Sequence, residues 1–332
     1  AINFINNLTY KNASISALTC SLLISSKVIG IIVPFIVIVF FLSEMMERKK
    51  FFKKDIAKII LFLFLLIIFT VIFWPYLWND PLFNFLNAIK TFSAHPWHGG
   101  IFYLGNYISA LNLPWHYAPI WIIITVPIIY LILFFLGSIL IFIKISFRFI
   151  NLSNKKGSSD IWKGNNEKLD LIFFLIFYFT LFLVIELNTT LYNGWRHLYF
   201  IYPCLIFISI RGLEYLFEIF LPKYLLILIY IFLLNNAYWM FKNHPYQYVY
   251  FNKFAGDYPS KFFELDYWGT SNKDTLEFIA DFDKESIIKI YDFSNSPYYL
   301  SLQLMDKIDR QRFEFVKNVS NADYLVTNHY YQ

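Results

Sequence analysis

The sequence predicts a polytopic α-helical membrane protein with a small α/β module at its carboxyl end. Hydrophobic residues make up 58% of its 332 residues, charged residues only 15%, and the mean hydropathy is +0.50. A soluble domain of this length does not need such an apolar composition. After Phe241 the composition changes to that of a soluble protein. We therefore predict a transmembrane domain over residues 1–241 and a module over residues 242–332.

The predicted membrane domain contains six or seven spanning helices. A helix needs roughly 20 apolar residues to cross a bilayer. The first apolar run, residues 15–42, is too long for one straight helix and contains Lys27, Gly30 and Pro34. It therefore forms either one kinked helix or two short ones. The other predicted spans are Ile59 to Trp78, Ala118 to Ile143, Leu169 to Leu187, Leu198 to Ile210 and Tyr224 to Phe241.

The distribution of charge predicts the orientation of these helices. Residues 48–54 and residues 144–168 are rich in Lys and Arg. Cytoplasmic loops are enriched in these residues, so both segments should face the cytoplasm. Because successive spans cross the membrane in opposite directions, residues 75–117 and the carboxyl-terminal module should lie outside the cytoplasm. The charge of the module supports this orientation. The module has 13 acidic and 10 basic residues, whereas residues 1–241 have 10 acidic and 18 basic residues. We expect a multi-pass protein of the inner (plasma) membrane.

The exported loop, residues 75–117, is too long and too aromatic to be a simple connector. Its apolar residues recur at helical spacing and predict an interfacial amphipathic helix from Pro81 to Phe92. Tryptophans accompany this helix as either an interfacial aromatic belt or a platform for a sugar ring or an isoprenoid chain. They are Trp74, Trp78, Trp97, Trp115 and Trp121.

The module is predicted to begin with an extended linker, residues 244–252. Ser271 and Asp274 form a capping box that predicts a helix through Ala280. Two strands, residues 287–291 and 322–327, flank a helix predicted over residues 297–308, which together indicate a small α/β fold. For the acidic residues Asp257, Glu264 and Asp266, solvated surface is the more ordinary prediction and catalysis the less ordinary one.

The adjacent Arg196 and His197 stand where a hydrophilic segment enters an apolar run. A fixed cation at a membrane interface suits an anionic ligand such as a lipid phosphate. An arginine there can also simply end a helix by reaching toward the headgroups. The polar and aromatic neighbours favour the ligand site: Tyr192, Asn193, Gly194 and Trp195.

Five segments in this order carry a family resemblance: WPYLWNDP, LPWHYAP, NGWRHLYFIYP, HPYQYVYFN and FELDYWGTSNKD. From about Lys27 to its end, the chain resembles bacterial polytopic glycosyltransferases of family 39. These are related to dolichyl-phosphate-mannose protein mannosyltransferases and to the aminoarabinose transferases. The resemblance implies the GT-C architecture.

The resemblance also implies an activity. Such an enzyme moves a mannose-like hexose or a related sugar from a polyprenyl-phosphate carrier to an acceptor on the non-cytoplasmic face. The acceptor is a saccharide, a lipid or a protein, as in protein glycosylation. A carboxylate base takes the acceptor proton, and cations stabilise the leaving phosphate. In the family this base lies in the first exported loop. We expect it upstream of Ala1, so a chain that begins at Ala1 should not transfer sugar.

By the same resemblance, Arg196 contacts the carrier phosphate, with His197 and Lys27 as further candidates. Burying Lys27 in an apolar stretch costs about 2.5 to 3.5 kcal/mol, so it either pairs with the phosphate or reaches out to the interface. The family often has an acidic residue where this chain has Asn193. The expected contacts to sugar or lipid are Trp78, Lys90, Trp97, Trp115, His116, Tyr192, Asn193 and Trp195.

No cofactor beyond the lipid-linked sugar donor is implied, and a divalent metal is left open. Pro96 breaks the helix that would align His95 with His98, so we expect no structural zinc. Cys20 and Cys204 lie in apolar runs and are expected to be buried thiols. The expected partners are the carrier lipid and the acceptor, with no nucleic acid.

Two other classes of protein remain as alternatives. A noncatalytic membrane scaffold or assembly subunit would use the module for docking. A transporter would bind its substrate near the middle of the membrane through intramembrane polar residues and broken helices. Its candidate residues are few, namely Lys27, Pro34, Asn235 and Asn236. No internal repeat supports a transporter.

Overall fold

The computed structural model describes residues 3–4, 7–48, 53–93, 99–154, 165–294 and 296–330. Its helices are α1 (Tyr10–Ser26), α2 (Ile32–Arg48), α3 (Lys53–Phe73), α4 (Pro81–Ser93), α5 (Tyr117–Thr125), α6 (Ile128–Asn154), α7 (Asn165–Glu186), α8 (Tyr202–Ile219), α9 (Pro222–Lys242), α10 (Asn272–Phe282), α11 (Tyr298–Ser301) and α12 (Lys307–Arg310). Its strands are β1 (Gly100–Tyr103), β2 (Asn106–Ser109), β3 (Ile288–Asp292), β4 (Phe313–Phe315) and β5 (Tyr324–Val326).

The prediction of a helical membrane protein is confirmed. Among the described residues, five helical segments are long and apolar enough to cross a membrane, and a shorter apolar helix covers Val28–Leu42. The five are Lys54–Phe73, Ile128–Phe147, Glu167–Glu186, Arg196–Ile219 and Pro222–Lys242.

The chain divides into two compact units. Unit 1 contains residues 1–96, 130–189 and 198–221, and unit 2 contains residues 97–129, 190–197 and 222–332. Unit 2 thus combines the predicted module with α5, α9, the β1–β2 hairpin and the segment that ends in Arg196 and His197.

In unit 1, the first apolar run forms two helices, the second of the two predicted alternatives. Helix α1 ends at Lys27, whose backbone is extended, with φ −151° and ψ 123°. A 3₁₀ turn over Val28–Ile31 follows, and α2 begins at Ile32. Pro34 lies in the first turn of α2, where a backbone N–H would have no acceptor within the helix, so a proline is tolerated. The break therefore occurs at Lys27 and not at the proline.

Two glycines fix the closest helix crossing described in unit 1. A Cβ added to Gly137 of α6 would lie 2.0 Å from the carbonyl oxygen of Ile208, and one added to Gly212 of α8 would lie 2.2 Å from that of Leu133. Ser209 also donates a hydrogen bond to the carbonyl of Tyr130. Small residues let helix backbones approach in this way, and packing and hydrogen bonds then hold membrane helices together.

Helices α7 and α8 of unit 1 pack through rings and charges. Phe173 and Phe207 stack with their centroids 4.1 Å apart. Arg211 of α8 is paired with Asp170 of α7 and with Glu214 one turn along its own helix. A cation inside an apolar helix pair is stabilised by such partners. Arg211 is therefore a structural cation.

In unit 2, the predicted span from Ala118 to Ile143 is wrong as a single helix. Pro127 cannot continue the helix hydrogen bonds, and Val126 before it is extended, with φ −93° and ψ 137°. The free carbonyls of Ile123 and Val126 accept hydrogen bonds from the Asn252 amide at 2.6 and 2.7 Å. Residues 244–252, predicted as an extended linker, therefore end in a cap for α5.

The carboxyl-terminal part of unit 2 contains a parallel three-stranded sheet in the order β4-β3-β5. The predicted strands at residues 287–291 and 322–327 lie at β3 and β5, whereas β4 was not predicted. The helix predicted over residues 297–308 consists of α11, a 3₁₀ turn and α12. The core of this part is formed by Leu276, Ile279, Ala280, Ile288, Ile290, Tyr298, Met305 and Val326.

Candidate anion site

The site is built on a turn of unit 2 that precedes Arg196. Asn193 and Gly194 both have left-handed backbones, with φ +57° and +69°. Trp121 of α5 packs against Gly194, where an added Cβ would lie 3.2 Å from its ring. The buried Trp195 donates its indole N–H to Thr125 Oγ1 at 2.8 Å. Helix α5 therefore holds the turn on two sides.

Arg196 is surrounded by aromatic rings. The guanidinium carbon lies 4.8 Å from the centroid of Tyr192, 5.3 Å from that of Tyr267 and 5.0 Å from that of Trp268. A guanidinium group is attracted to the face of such a ring. This stacking does not use the N–H donors at the edge of the guanidinium, so they can bind another ligand. Trp268 itself is 64% exposed.

In the described part of the chain, Arg196 forms no salt bridge, in contrast to Arg211. Its one hydrogen bond there runs from Nε to Nε2 of His197 over 3.4 Å. His197 in turn meets the ring of Tyr192 edge to face, with the centroids 4.6 Å apart. The Arg196 guanidinium has further N–H donors, so it is suited to bind an anion with several acceptor oxygens.

Glu264 lies behind the turn and is only 1% exposed. Its Oε1 accepts a hydrogen bond from the backbone N–H of Asn193 at 3.0 Å. Burial raises the pKa of Glu264 to about 8, although the Asn193 N–H and the positive charge of Arg196 oppose this rise. The prediction that Glu264 is solvated surface is wrong, because the chain folds this acid against the Arg196 turn.

Asp266 is also buried, at 5% exposure, so the same prediction is wrong for it. It accepts hydrogen bonds from the Tyr248 hydroxyl, the Thr270 N–H and both the N–H and the hydroxyl of Ser271. The predicted capping box is wrong too, because Ser271 makes no cap hydrogen bond to the start of α10. Asp266 has a structural role, whereas Asp257 is exposed as predicted.

The structure brings together five of the predicted site residues, all in unit 2: Tyr192, Asn193, Trp195, Arg196 and His197. Two others of unit 2 pair with each other. His116 accepts from or donates to the Tyr103 hydroxyl at 2.7 Å, and Trp115, 69% exposed, meets the His116 ring edge to face.

Three predicted site residues belong to unit 1. Lys27 occupies the break after α1, the Trp78 indole donates to the carbonyl of Val71 at 2.9 Å, and Lys90 lies in the last turn of α4. Trp97, together with His95 and His98, lies outside the described residues. Within the described ranges, no three His, Cys, Asp or Glu side chains are grouped so as to hold a metal ion.

Glu264, Tyr267 and Trp268 also contribute to the site, and their contributions were not predicted from the sequence. They belong to the FELDYWG segment, which was noted for its family resemblance but not connected with Arg196. Comparison with protein-family models, with curated proteins and with solved structures found no match for the chain.

Proposed function

We propose that the protein binds a polyprenyl phosphate through Arg196 and acts as a membrane glycosyltransferase that takes its sugar from that carrier. The observation that carries the proposal is the aromatic enclosure of Arg196, which leaves guanidinium donors for an anion. A membrane protein meets phosphate mainly as lipid headgroups. The NGWRHLYFIYP and FELDYWGTSNKD segments, which resemble family 39 transferases, meet at this site.

This proposal includes the GT-C architecture and a donor with a mannose-like hexose or a related sugar. The acceptor is a saccharide, a lipid or a protein outside the cytoplasm. His197 assists through its hydrogen bond with Arg196, and Tyr192 and Trp195 shape the turn.

The test is binding of undecaprenyl phosphate to the purified protein in detergent. Arg196→Ala removes charge-assisted hydrogen bonds worth about 1.5 to 3 kcal/mol, so affinity should fall roughly 10- to 100-fold. Arg310→Ala is the matched control, since it removes an exposed arginine from the same unit. Equal affinity of the Arg196→Ala variant and the wild type would refute the proposed site.

A binding subunit without transfer activity is the second candidate. It is favoured by one observation: both buried acids of the FELDYWG segment accept hydrogen bonds from the backbone, Glu264 from the Asn193 N–H and Asp266 from the Ser271 N–H. Because the base is expected upstream of Ala1, the assay uses the complete natural protein. Transfer of labelled sugar from polyprenyl-phosphate mannose to an acceptor then separates the two functions. Binding without transfer would favour the subunit, and solute uptake independent of carrier lipid would favour a transporter.

A further inference from the structure

Glu264 connects three segments of unit 2. Its backbone N–H donates to the carbonyl of Phe102 in β1 over 3.3 Å, and its Oε1 accepts from the N–H of Asn193 over 3.0 Å. The residue itself belongs to the segment that supplies Tyr267 and Trp268 to Arg196. A change at Glu264 is therefore transmitted to both sides of the anion site.

The turn held by Glu264 is conformationally costly. A left-handed backbone is unfavourable for most residues with a side chain, and Asn, as at position 193, tolerates it at a smaller cost. The hydrogen bond from its N–H to Glu264 offsets part of this cost. Arg196 follows three residues after Asn193, so the direction of its side chain depends on the turn.

Burial and an unpaired oxygen favour the protonated form of Glu264. In the described part of the chain, two buried acceptor atoms here have no hydrogen-bond donor: Glu264 Oε2 and Asn193 Oδ1. An ionised carboxylate with an unsatisfied oxygen is strongly disfavoured in a buried position. Carrying a proton, Glu264 becomes a donor next to Asn193, whose side-chain oxygen lacks one.

We propose that Glu264 is a positioning residue for the anion site: its carboxyl fixes the turn from which Arg196 projects, and its proton occupancy sets how strongly the site attracts an anion. The charged and titratable groups that interact with it are Arg196 from the turn and Tyr117 from α5, and Tyr117 interacts in turn with Tyr103 of β1. Asp266 lies two residues further along the same segment. This inference rests on the proposed function of Arg196.

The direction of the effect follows from charge. Ionised Glu264 and a bound phosphate compete for the same positive charge of Arg196, so the loss of the Glu264 proton weakens anion binding. By reciprocity, binding of the anion favours protonation of Glu264. Because the pKa of Glu264 is raised to about 8, affinity is high at pH 7 and falls as the pH rises through 8.

The experiment measures undecaprenyl phosphate binding in detergent from pH 7 to pH 9.5, a range that lies above the second phosphate pKa of about 6, so the lipid is mainly the dianion throughout. Wild-type affinity should fall about tenfold. Glu264→Gln should bind as the wild type does at pH 7 and keep that affinity at pH 9.5. Glu277→Gln, a change to an exposed acid of α10, should retain the wild-type profile. A flat wild-type profile, or an unchanged fall in Glu264→Gln, overturns the inference.

A second measurement separates this inference from the proposed function. Infrared difference spectra of the wild type without lipid should show the carbonyl band of a protonated carboxyl at pH 7 and its loss near pH 8. The band should be missing from Glu264→Gln. If the wild type shows the band but binds no lipid phosphate, the proposed function fails while Glu264 remains protonated. If the band is absent at pH 7, the inference about Glu264 fails, whether or not lipid binds.

Discussion

At the scale of single residues, Gly194 determines whether the Arg196 turn can form. It has φ +69°, and an added Cβ would lie 3.2 Å from the Trp121 ring. Gly194→Ala should therefore cost roughly 1 to 2 kcal/mol in backbone strain and also displace Trp121. We expect a lower melting temperature in detergent together with weaker binding of undecaprenyl phosphate.

Gly105→Ala separates these two effects. Gly105 has φ +78°, but its added Cβ would meet only ordinary contacts at 3.6 Å, in the β1–β2 hairpin. This control should lower the melting temperature without changing lipid binding. If both variants bind the lipid as the wild type does, the turn at Gly194 does not position Arg196.

The residues of the anion site differ in how visible they are in the sequence. Arg196 is conspicuous because a cation beside an apolar run is locally unusual. Glu264 is not, since an acid in a mostly polar segment has the pattern of surface, and nothing local indicates a contact with Asn193 across 71 residues. Burial of an acid depends on tertiary contacts, which one sequence does not contain.

At the scale of elements, the crossing of α6 and α8 allows no side chain at Gly212. Its Cβ would lie 2.2 Å from the Leu133 carbonyl, so Gly212→Ala forces the helices apart. Overpacking of this kind costs typically 1 to 3 kcal/mol. We expect a clear loss of thermal stability in detergent. Ile139→Ala, at an exposed position of α6, is the control, and an equal effect of both would contradict the close crossing.

The helices also show which element boundaries hydropathy can predict. The apolar run at residues 169–187 locates α7 to within four residues at each end, because a long apolar helix needs no other signal. The run at residues 59–78 finds α3, but its bounds lie five or six residues too far toward the carboxyl end. The break at Pro127 was missed, since the flanking residues are equally apolar. Its stability depends on the cap from Asn252, which lies far along the chain.

At the scale of the whole molecule, the charge distribution predicts that the carboxyl-terminal part of unit 2 is exported. Cysteine labelling tests this in a variant with Cys20 and Cys204, both buried, replaced by alanine. Asp281→Cys, at an exposed position of α10, should react with an impermeant maleimide on intact spheroplasts. Glu218→Cys, near the end of α8, should react only after permeabilisation. The reverse pattern would show the opposite orientation.

The contact between Asn193 and Glu264, 71 residues apart, has a consequence for biosynthesis. The ribosome makes Arg196 early, while Glu264, Tyr267 and Trp268 follow only after α9 has been translated. A nascent or stalled chain that stops before residue 264 thus carries the cation without its supporting residues. The proposed anion site is complete only in chains that have been translated past Trp268.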